Sequence, residues 1–132
     1  MVMIPILGRE LQTPFPRTVN PLLLPTDVWV AALIRRAELG GAFATVARRG
    51  DARAGGVLVK VFDTATRQAT LYTEAFGPDG ARLWIRPVEA GPEGEIDAFA
   101  QRQLGYDPDL WVVEIEDREG RHFLSEAVAP GG

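Results

Sequence analysis

The sequence contains no cysteine, one histidine and, among its 14 basic residues, one lysine. The lack of cysteine excludes disulfides, thiolate nucleophiles and cysteine-ligated metals, and it is compatible with the reducing cytoplasm, where we expect the protein to reside. No apolar run approaches the roughly 20 residues needed to cross a membrane, so we expect no membrane association. The single histidine, His122, has no second histidine at metal-ligand spacing and no serine in a nucleophile motif. We therefore predict no catalytic residue, no metal and no cofactor.

Size and charge indicate one ordinary globular domain. The chain has 132 residues, of which 46% are hydrophobic and 24% charged, with a formal net charge of −4. A chain of this length can bury a core of its own. Its negative charge does not attract nucleic acid, so nucleic-acid binding is the least favoured of the binding functions.

The stretch from Thr26 to Phe62 predicts an amphipathic helix followed by two strands. The Thr26 hydroxyl can cap the helix at its start, and a glycine pair after the last turn can end it. Apolar residues recur there at helical spacing, and two later segments have strand-like patterns. The apolar helical positions are Val30, Leu33, Ile34 and Ala37, and the strands are predicted at Phe43–Arg49 and Val57–Phe62.

The remaining elements alternate with turn clusters. The glycine-rich link GDARAGG between the first two strands predicts a hairpin, and two more strands follow to complete an antiparallel meander. A second amphipathic helix then precedes a strongly strand-like segment and a short return strand. These elements are predicted at Gln68–Phe76, Arg82–Arg86, Glu95–Leu104 (the helix), Leu110–Glu116 and Arg121–Leu124.

The predicted fold class is therefore α+β, with an antiparallel sheet of five or six strands. The sheet consists of the four-strand meander and a C-terminal hairpin, and both amphipathic helices pack on one face of it. Residues 24–126 form this single domain. Residues 1–23, with several prolines and no sustained period, predict an extended or disordered leader, and residues 127–132 predict a flexible tail.

Arginine and glycine cluster at the first hairpin turn. Arg48, Arg49, Asp51 and Arg53 lie there beside three glycines. Backbone amides and arginine side chains of such a loop can bind a phosphate. Against this, no lysine and hydroxyl follow in Walker order, and the loop joins two strands instead of opening a helix. A solvated turn is the alternative interpretation.

Tryptophan flanked by arginine forms a second candidate surface. Strand alternation places Trp84 on the same side as Arg82 and Arg86, and we predict that this side faces outward. Trp29 lies beside the apolar stripe of the first helix. Exposed tryptophan next to arginine is typical of interface centres. The alternative is a sheet face covered by the N-terminal arm or by a helix.

Two glutamates in the last long strand raise the question of paired carboxylates. Glu114 and Glu116 share one face of that strand and are able in principle to flank a sugar or bind a divalent cation. A structural interpretation is favoured, in which they pair with Arg82 and Arg86 across neighbouring strands.

Two segments resemble a known family. Taken in order, they resemble a family of short alphaproteobacterial proteins known as domain-of-unknown-function family 1491. The segments are DVWVAALIRRAELGGAFATVARRGDARAGGVLVKV and, later, YDPDLWVVEIEDREGRHFL. The resemblance covers Leu24 to Leu124 and implies a bacterial cytoplasmic setting, with no activity, cofactor or site residues attached. The first two dozen residues depart from the family pattern, which favours an over-long gene start.

The leading functional hypothesis is a small interaction or regulatory domain without catalytic activity. It is expected to form a homodimer, through a sheet edge or the tryptophan-bearing face, or to bind another protein. The alternative hypothesis is a binding protein or enzyme for a small phosphorylated or anionic molecule held at the Arg48–Arg53 turn.

Overall fold

A computed structural model describes residues 24–130, which form two helices and a five-stranded mixed sheet. The predicted α+β class and a count of five strands are confirmed. The leader predicted over residues 1–23 lies outside the described part of the chain. The helices are α1 (Thr26–Leu39) and α2 (Glu93–Tyr106), and the strands are β1 (Phe43–Arg48), β2 (Val57–Asp63), β3 (Gln68–Phe76), β4 (Arg82–Ile85) and β5 (Trp111–Asp117).

The strand order is β1-β5-β2-β3-β4, which corrects the predicted antiparallel meander. β5 inserts between β1 and β2 and runs parallel to β2, so the first two strands do not form a hairpin. The other neighbouring strands are antiparallel. β2 and β5 occupy the centre because they are buried on both faces: every residue from Val57 to Phe62 is buried. Strands with two apolar faces are stable only where both faces are covered.

The two helices lie on opposite faces of the sheet, whereas the sequence predicts them on one face. Because β2 carries apolar side chains on both sides, each side needs its own cover. On one face, α1 packs against Val59, Val113 and Ile115. On the other, α2 packs its residues Ile96 and Ala100 against the second core cluster of the domain. That cluster also contains Leu58, Phe62, Ala69, Leu71 and Val112.

The segment after β5 does not return as a strand, which corrects the predicted C-terminal hairpin. Asp117 accepts hydrogen bonds from the backbone amide and the guanidinium of Arg121, which folds the chain out of the sheet plane. The chain then packs onto the α1-side core through Phe123, Leu124 and Val128. α1 and this segment therefore cover one face of the sheet together.

Two predicted helix boundaries also change. Thr26 is not the cap of α1: Pro25 precedes the helix, and the Thr26 hydroxyl donates to the carbonyl oxygen of Gly55 at 2.9 Å. α2 begins two residues earlier than predicted, at Glu93, and continues through Gly105. The Thr26 bond ties the start of α1 to the β1–β2 loop.

Candidate functional site

The β1–β2 loop (residues 49–56) crosses over the start of β5. The amide of Asp51 donates to the carbonyl oxygen of Asp109 at 3.0 Å, and the indole of Trp111 donates to the carbonyl oxygen of Asp51 at 2.7 Å. A Cβ atom at Gly50 or Gly55 would collide with the Asp109 carbonyl. The glycines are thus required by close backbone approach.

The loop satisfies its own amide groups. The amides of Arg53 and Ala54 donate to the Asp51 carboxylate at 3.2 and 2.9 Å, and the amide of Gly55 donates to the Asp51 carbonyl. Asp51 therefore takes the donors that the phosphate-cradle hypothesis assigns to a ligand. The geometry does not favour an anion site at this loop.

The arginines of the loop also have partners within the chain. Arg48 donates from Nη1 to the carbonyl oxygens of Pro108 and Leu110 at 2.9 and 3.0 Å. The guanidinium of Arg49 lies 4.9 Å from the centre of the Trp111 ring, a cation–π contact. Arg53 is exposed. The structure brings the predicted residues to one loop, where Arg48 and Arg49 fasten it to the start of β5.

The predicted tryptophan surface is buried. Trp84 is fully buried and Trp29 is 6% exposed, and their rings stack with centroids 5.3 Å apart. Both indoles donate to the carboxylate of Glu126, at 3.1 Å from Trp29 and 3.0 Å from Trp84. The outward orientation predicted for Trp84 is wrong because α1 and the C-terminal segment cover that face of the sheet.

Arg82 of β4 lies on the same covered side, whereas Arg86, just after the strand, is exposed. Arg82 forms an ion pair with Glu74 at 3.0 Å, without a well-aligned hydrogen bond, and its guanidinium lies 5.5 Å from the Trp29 ring centre. Pairing of Arg82 and Arg86 with the β5 glutamates does not occur, because β2 and β3 separate β4 from β5.

The single histidine packs against the core. The ring of His122 meets Tyr72 edge-on at 5.2 Å, and its Nδ1 accepts the amide of Leu124 at 2.9 Å. Burial, together with the positive charge of Arg86, lowers the pKa of His122. Burial also raises the pKa of Tyr72, although Arg86 acts against this. The arrangement orders the chain after β5.

Lys60 is the charged centre that sequence reasoning missed. Its side chain is 4% exposed, and its Nζ lies 2.7 Å from both Glu93 and Asp97 of α2 and 3.4 Å from Glu114 of β5. Burial acts to lower the pKa of Lys60, but the bonds to Asp97 and Glu93 and the charge of Glu114 outweigh it and raise the pKa. The available signal was the sole lysine inside an apolar strand. The cluster joins α2 to the sheet.

The two edges of the sheet differ. At β4, the backbone of Trp84 donates to the carbonyl oxygen of Ala127 at 2.9 Å and accepts from the amide of Ala129 at 2.8 Å. Residues 127–129, predicted as part of a flexible tail, therefore pair with this edge. β1 forms the opposite edge and, within residues 24–130, pairs with β5 on one side only.

The β1 edge is uncharged up to its last residue, Arg48, and is partly apolar. From Phe43 to Ala47 the strand has no charged residue, and Phe43 is 62% and Val46 39% exposed. Leu39, just before the turn into β1, is 75% exposed. Edge strands usually carry charges or prolines that prevent pairing with other chains. From Phe43 to Val46 this edge has neither, and the open stretch ends at the irregular register between Val46 and Arg48. It is the best candidate functional surface of the described residues.

Comparison with known proteins places the chain in a family. The family model described as "Protein of unknown function (DUF1491)" matches residues 24–125. The chain belongs to the DUF1491 family. No curated protein matches the chain. The match confirms the resemblance read from the two sequence segments.

Three solved structures of similar proteins have the same fold. A crystal structure of a DUF1491 family protein from Caulobacter crescentus is 64% identical, with a TM-score of 0.78, and the match covers 80% of this chain and 99% of that one. An NMR structure from the same organism is 62% identical, with a TM-score of 0.77 and coverage of 83% and 99%. A solution structure of an A. tumefaciens protein is 30% identical, with a TM-score of 0.68 and coverage of 83% and 98%.

The described part of this DUF1491 chain shows neither a metal-binding cluster nor a membrane-spanning helix. No group of three histidine, aspartate or glutamate residues among residues 24–130 is arranged to hold a metal ion. Neither α1 nor α2, the helices of that range, is long and apolar enough to cross a membrane.

Proposed function

We propose that this DUF1491 chain is a cytoplasmic, non-catalytic interaction domain that forms a homodimer through the outer edge of β1. The observation that carries the proposal is an exposed edge strand, uncharged from Phe43 to Ala47, on a sheet whose other edge is closed by the chain's own C-terminal segment. Three of the eight large hydrophobic residues exposed within residues 24–130 lie between Leu39 and Val46, which favours this edge over other surfaces.

A twofold axis allows two copies of β1 to pair antiparallel. With Thr45 on the axis, Ala44 of each copy lies opposite Val46 of the other, and the two threonines face each other. The regular pairing ends at Val46, because the register of β1 is irregular between Val46 and Arg48. Such cross-strand pairs stabilise a sheet, and no like charges meet. The two five-stranded sheets would then form one continuous sheet of ten strands.

The expected affinity is modest. β1 has six residues and therefore spans about 20 Å. A strand pair of this length with a few flanking side chains falls at the small end of specific interfaces, below the standard size of about 1,600 Å². We therefore expect a dissociation constant on the order of micromolar and a dimer whose population depends on concentration.

The test is the solution mass by light scattering across a dilution series. Thr45→Lys places two lysines opposite each other at the axis and should convert the dimer to a monomer. Thr66→Lys makes the same change in the exposed β2–β3 turn and should leave the dimer intact. A wild-type chain that stays monomeric at several hundred micromolar, or equal masses for the two variants, would refute the proposal.

The same measurement on a chain that begins at Leu24 shows whether residues 1–23 take part in the interface. If the dimer uses β1 alone, its dissociation constant should match that of the full chain. Dimerisation of the full chain only would place the contact in residues 1–23 and contradict the β1 proposal.

A further inference from the structure

Residues 125–129, called the C-terminal strap, pair with the β4 edge in the same way as a separate peptide that adds a strand to a sheet. Its Ala127 and Ala129 form two backbone hydrogen bonds with Trp84, and Val128 makes a parallel bridge to the same residue. Val128 also packs against the α1-side core. Peptides that extend a sheet edge are recognised in this way: the backbone supplies affinity, and alternate side chains supply specificity.

The side chain that precedes this backbone pairing enters a pocket built for a carboxylate. Glu126 accepts one hydrogen bond at each carboxylate oxygen, from Trp84 at 3.0 Å and from Trp29 at 3.1 Å. Arg82 Nη1 lies 4.0 Å from the same carboxylate. Burial acts to raise the pKa of Glu126, but the two indole bonds and the charge of Arg82 outweigh it, so the pKa is lowered.

The donors of this pocket belong to the folded body and not to the strap. Trp29 is fixed on α1, and Trp84 and Arg82 are fixed on β4, with the two indole rings stacked. A stacked pair of indoles cannot turn both N–H groups elsewhere without breaking the core. The receptor is therefore preformed, and without a carboxylate its donors would lose their partner.

The strap itself is joined to the body by a conformationally costly connection. Phe123 has a φ of +60°, a left-handed conformation that residues other than glycine rarely adopt. Arg36 holds this residue by donating to its carbonyl oxygen at 3.1 Å. Within residues 24–130 the strap follows all five strands, so it can leave the β4 edge without removing a strand from the sheet.

We propose that the β4 edge and the Trp29–Trp84–Arg82 pocket form a binding site for an extended acidic peptide. The chain's own strap fills the site in this structure, and the strap of a second copy can replace it by exchange. The recognised pattern is a glutamate followed two residues later by a valine, as in Glu126-Ala127-Val128. The site lies on the sheet edge opposite β1, so it does not depend on the proposed β1 dimer.

The test uses the full-length Glu126→Ala variant and a fluorescent peptide of residues 124–130. In this variant the pocket lacks its own carboxylate, so the peptide should bind, as measured by fluorescence anisotropy. A matched peptide with alanine in place of Glu126 should bind at least about tenfold more weakly, since it lacks the charge-assisted bonds. Glu38→Ala removes an exposed glutamate of α1 and should behave like the wild-type chain.

The wild-type chain supplies a measurement that needs no substitution. Its strap competes at an effective concentration on the order of millimolar, so the peptide should displace it only in millimolar excess. Glu126→Gln keeps an acceptor oxygen in the pocket, so its affinity for the peptide should lie between those of the wild-type chain and of Glu126→Ala. Equal binding of both peptides by the Glu126 variants, or no displacement in the wild-type chain at millimolar excess, would overturn the proposal. Adding Thr45→Lys to every chain should leave these affinities unchanged, whatever happens to the β1 dimer.

Discussion

Replacing Lys60 with methionine should lower the free energy of unfolding by about 2–3 kcal/mol at pH 7. Methionine fills a similar volume, so the change tests the charge and not the packing of β2. The buried ammonium lies 2.7 Å from Glu93 and Asp97 and 3.4 Å from Glu114. Without it, three carboxylates remain near each other with no cation between them.

The magnitude follows from opposing terms. Two hydrogen bonds between charged groups contribute about 1.5–3 kcal/mol each when protected from water. The carboxylates of Glu93 and Asp97 are 42% and 52% exposed, so solvent screening reduces this contribution. Methionine also avoids the cost of burying an ammonium group, which reduces the loss further. The pairing terms still exceed the saving, because Lys60 satisfies three partners at once.

The pKa of Lys60 sets the pH range over which this stabilisation is present. The folded state raises the pKa of Lys60 through Asp97, Glu93 and Glu114 acting against burial. The stabilisation is therefore complete below the unfolded pKa of about 10.4 and is lost as the pH rises through the folded value.

Urea unfolding followed by far-UV circular dichroism measures the effect at pH 7. Asp97→Asn should reproduce part of the loss, whereas Glu95→Gln, an exposed position in the first turn of α2, should change stability little. A loss below about 0.5 kcal/mol at pH 7, or no loss in Asp97→Asn, would refute the reasoning.

Three further substitutions test other contacts. Asp117→Asn should lower the free energy of unfolding by about 2–4 kcal/mol, measured by urea unfolding, because the buried Asp117 carboxylate binds the guanidinium and the amide of Arg121. These bonds lower the pKa of Asp117, so the stabilisation is present above about pH 3.9 and is lost at lower pH. Gly50→Ala should cost about 1–3 kcal/mol by collision with Asp109, measured as a lower thermal midpoint, and an unchanged midpoint would contradict it. His122→Asn keeps an acceptor for the following turn but cannot titrate. Since burial and Arg86 lower the pKa of His122, wild-type stability should fall from about pH 6.5 downward, and this loss should be smaller in the variant.

Local patterns in the sequence located both helices and all five strands, although they also predicted a return strand at Arg121–Leu124 that does not form. β3 was predicted with its observed bounds, Gln68–Phe76, and β2 within one residue, because apolar alternation reflects a period set by the backbone itself. α1 was likewise placed by its apolar spacing and the glycines after it. The family was also identified from the sequence, since its two segments keep their order along the chain.

The candidate site depended on information that no local pattern contains. β1 was predicted as a strand, but its position at an open edge follows from the insertion of β5 beside β2. Alternation specifies which residues share a face and is silent on which strand lies next to which. The predicted hairpin was therefore reasonable locally and wrong globally.

The tryptophan pair and Lys60 show the same difference between what local sequence patterns specify and what the tertiary structure decides. The sequence correctly placed Arg82 and Trp84 on one side of β4, but only the packing of α1 and the C-terminal strap made that side the interior. The sequence likewise displayed one lysine in an apolar strand without revealing its partners, which come from α2 and β5. Periodicity is a property of neighbouring residues, whereas burial and ion pairing are set by chain segments distant in sequence, so they are decided only when the tertiary structure forms.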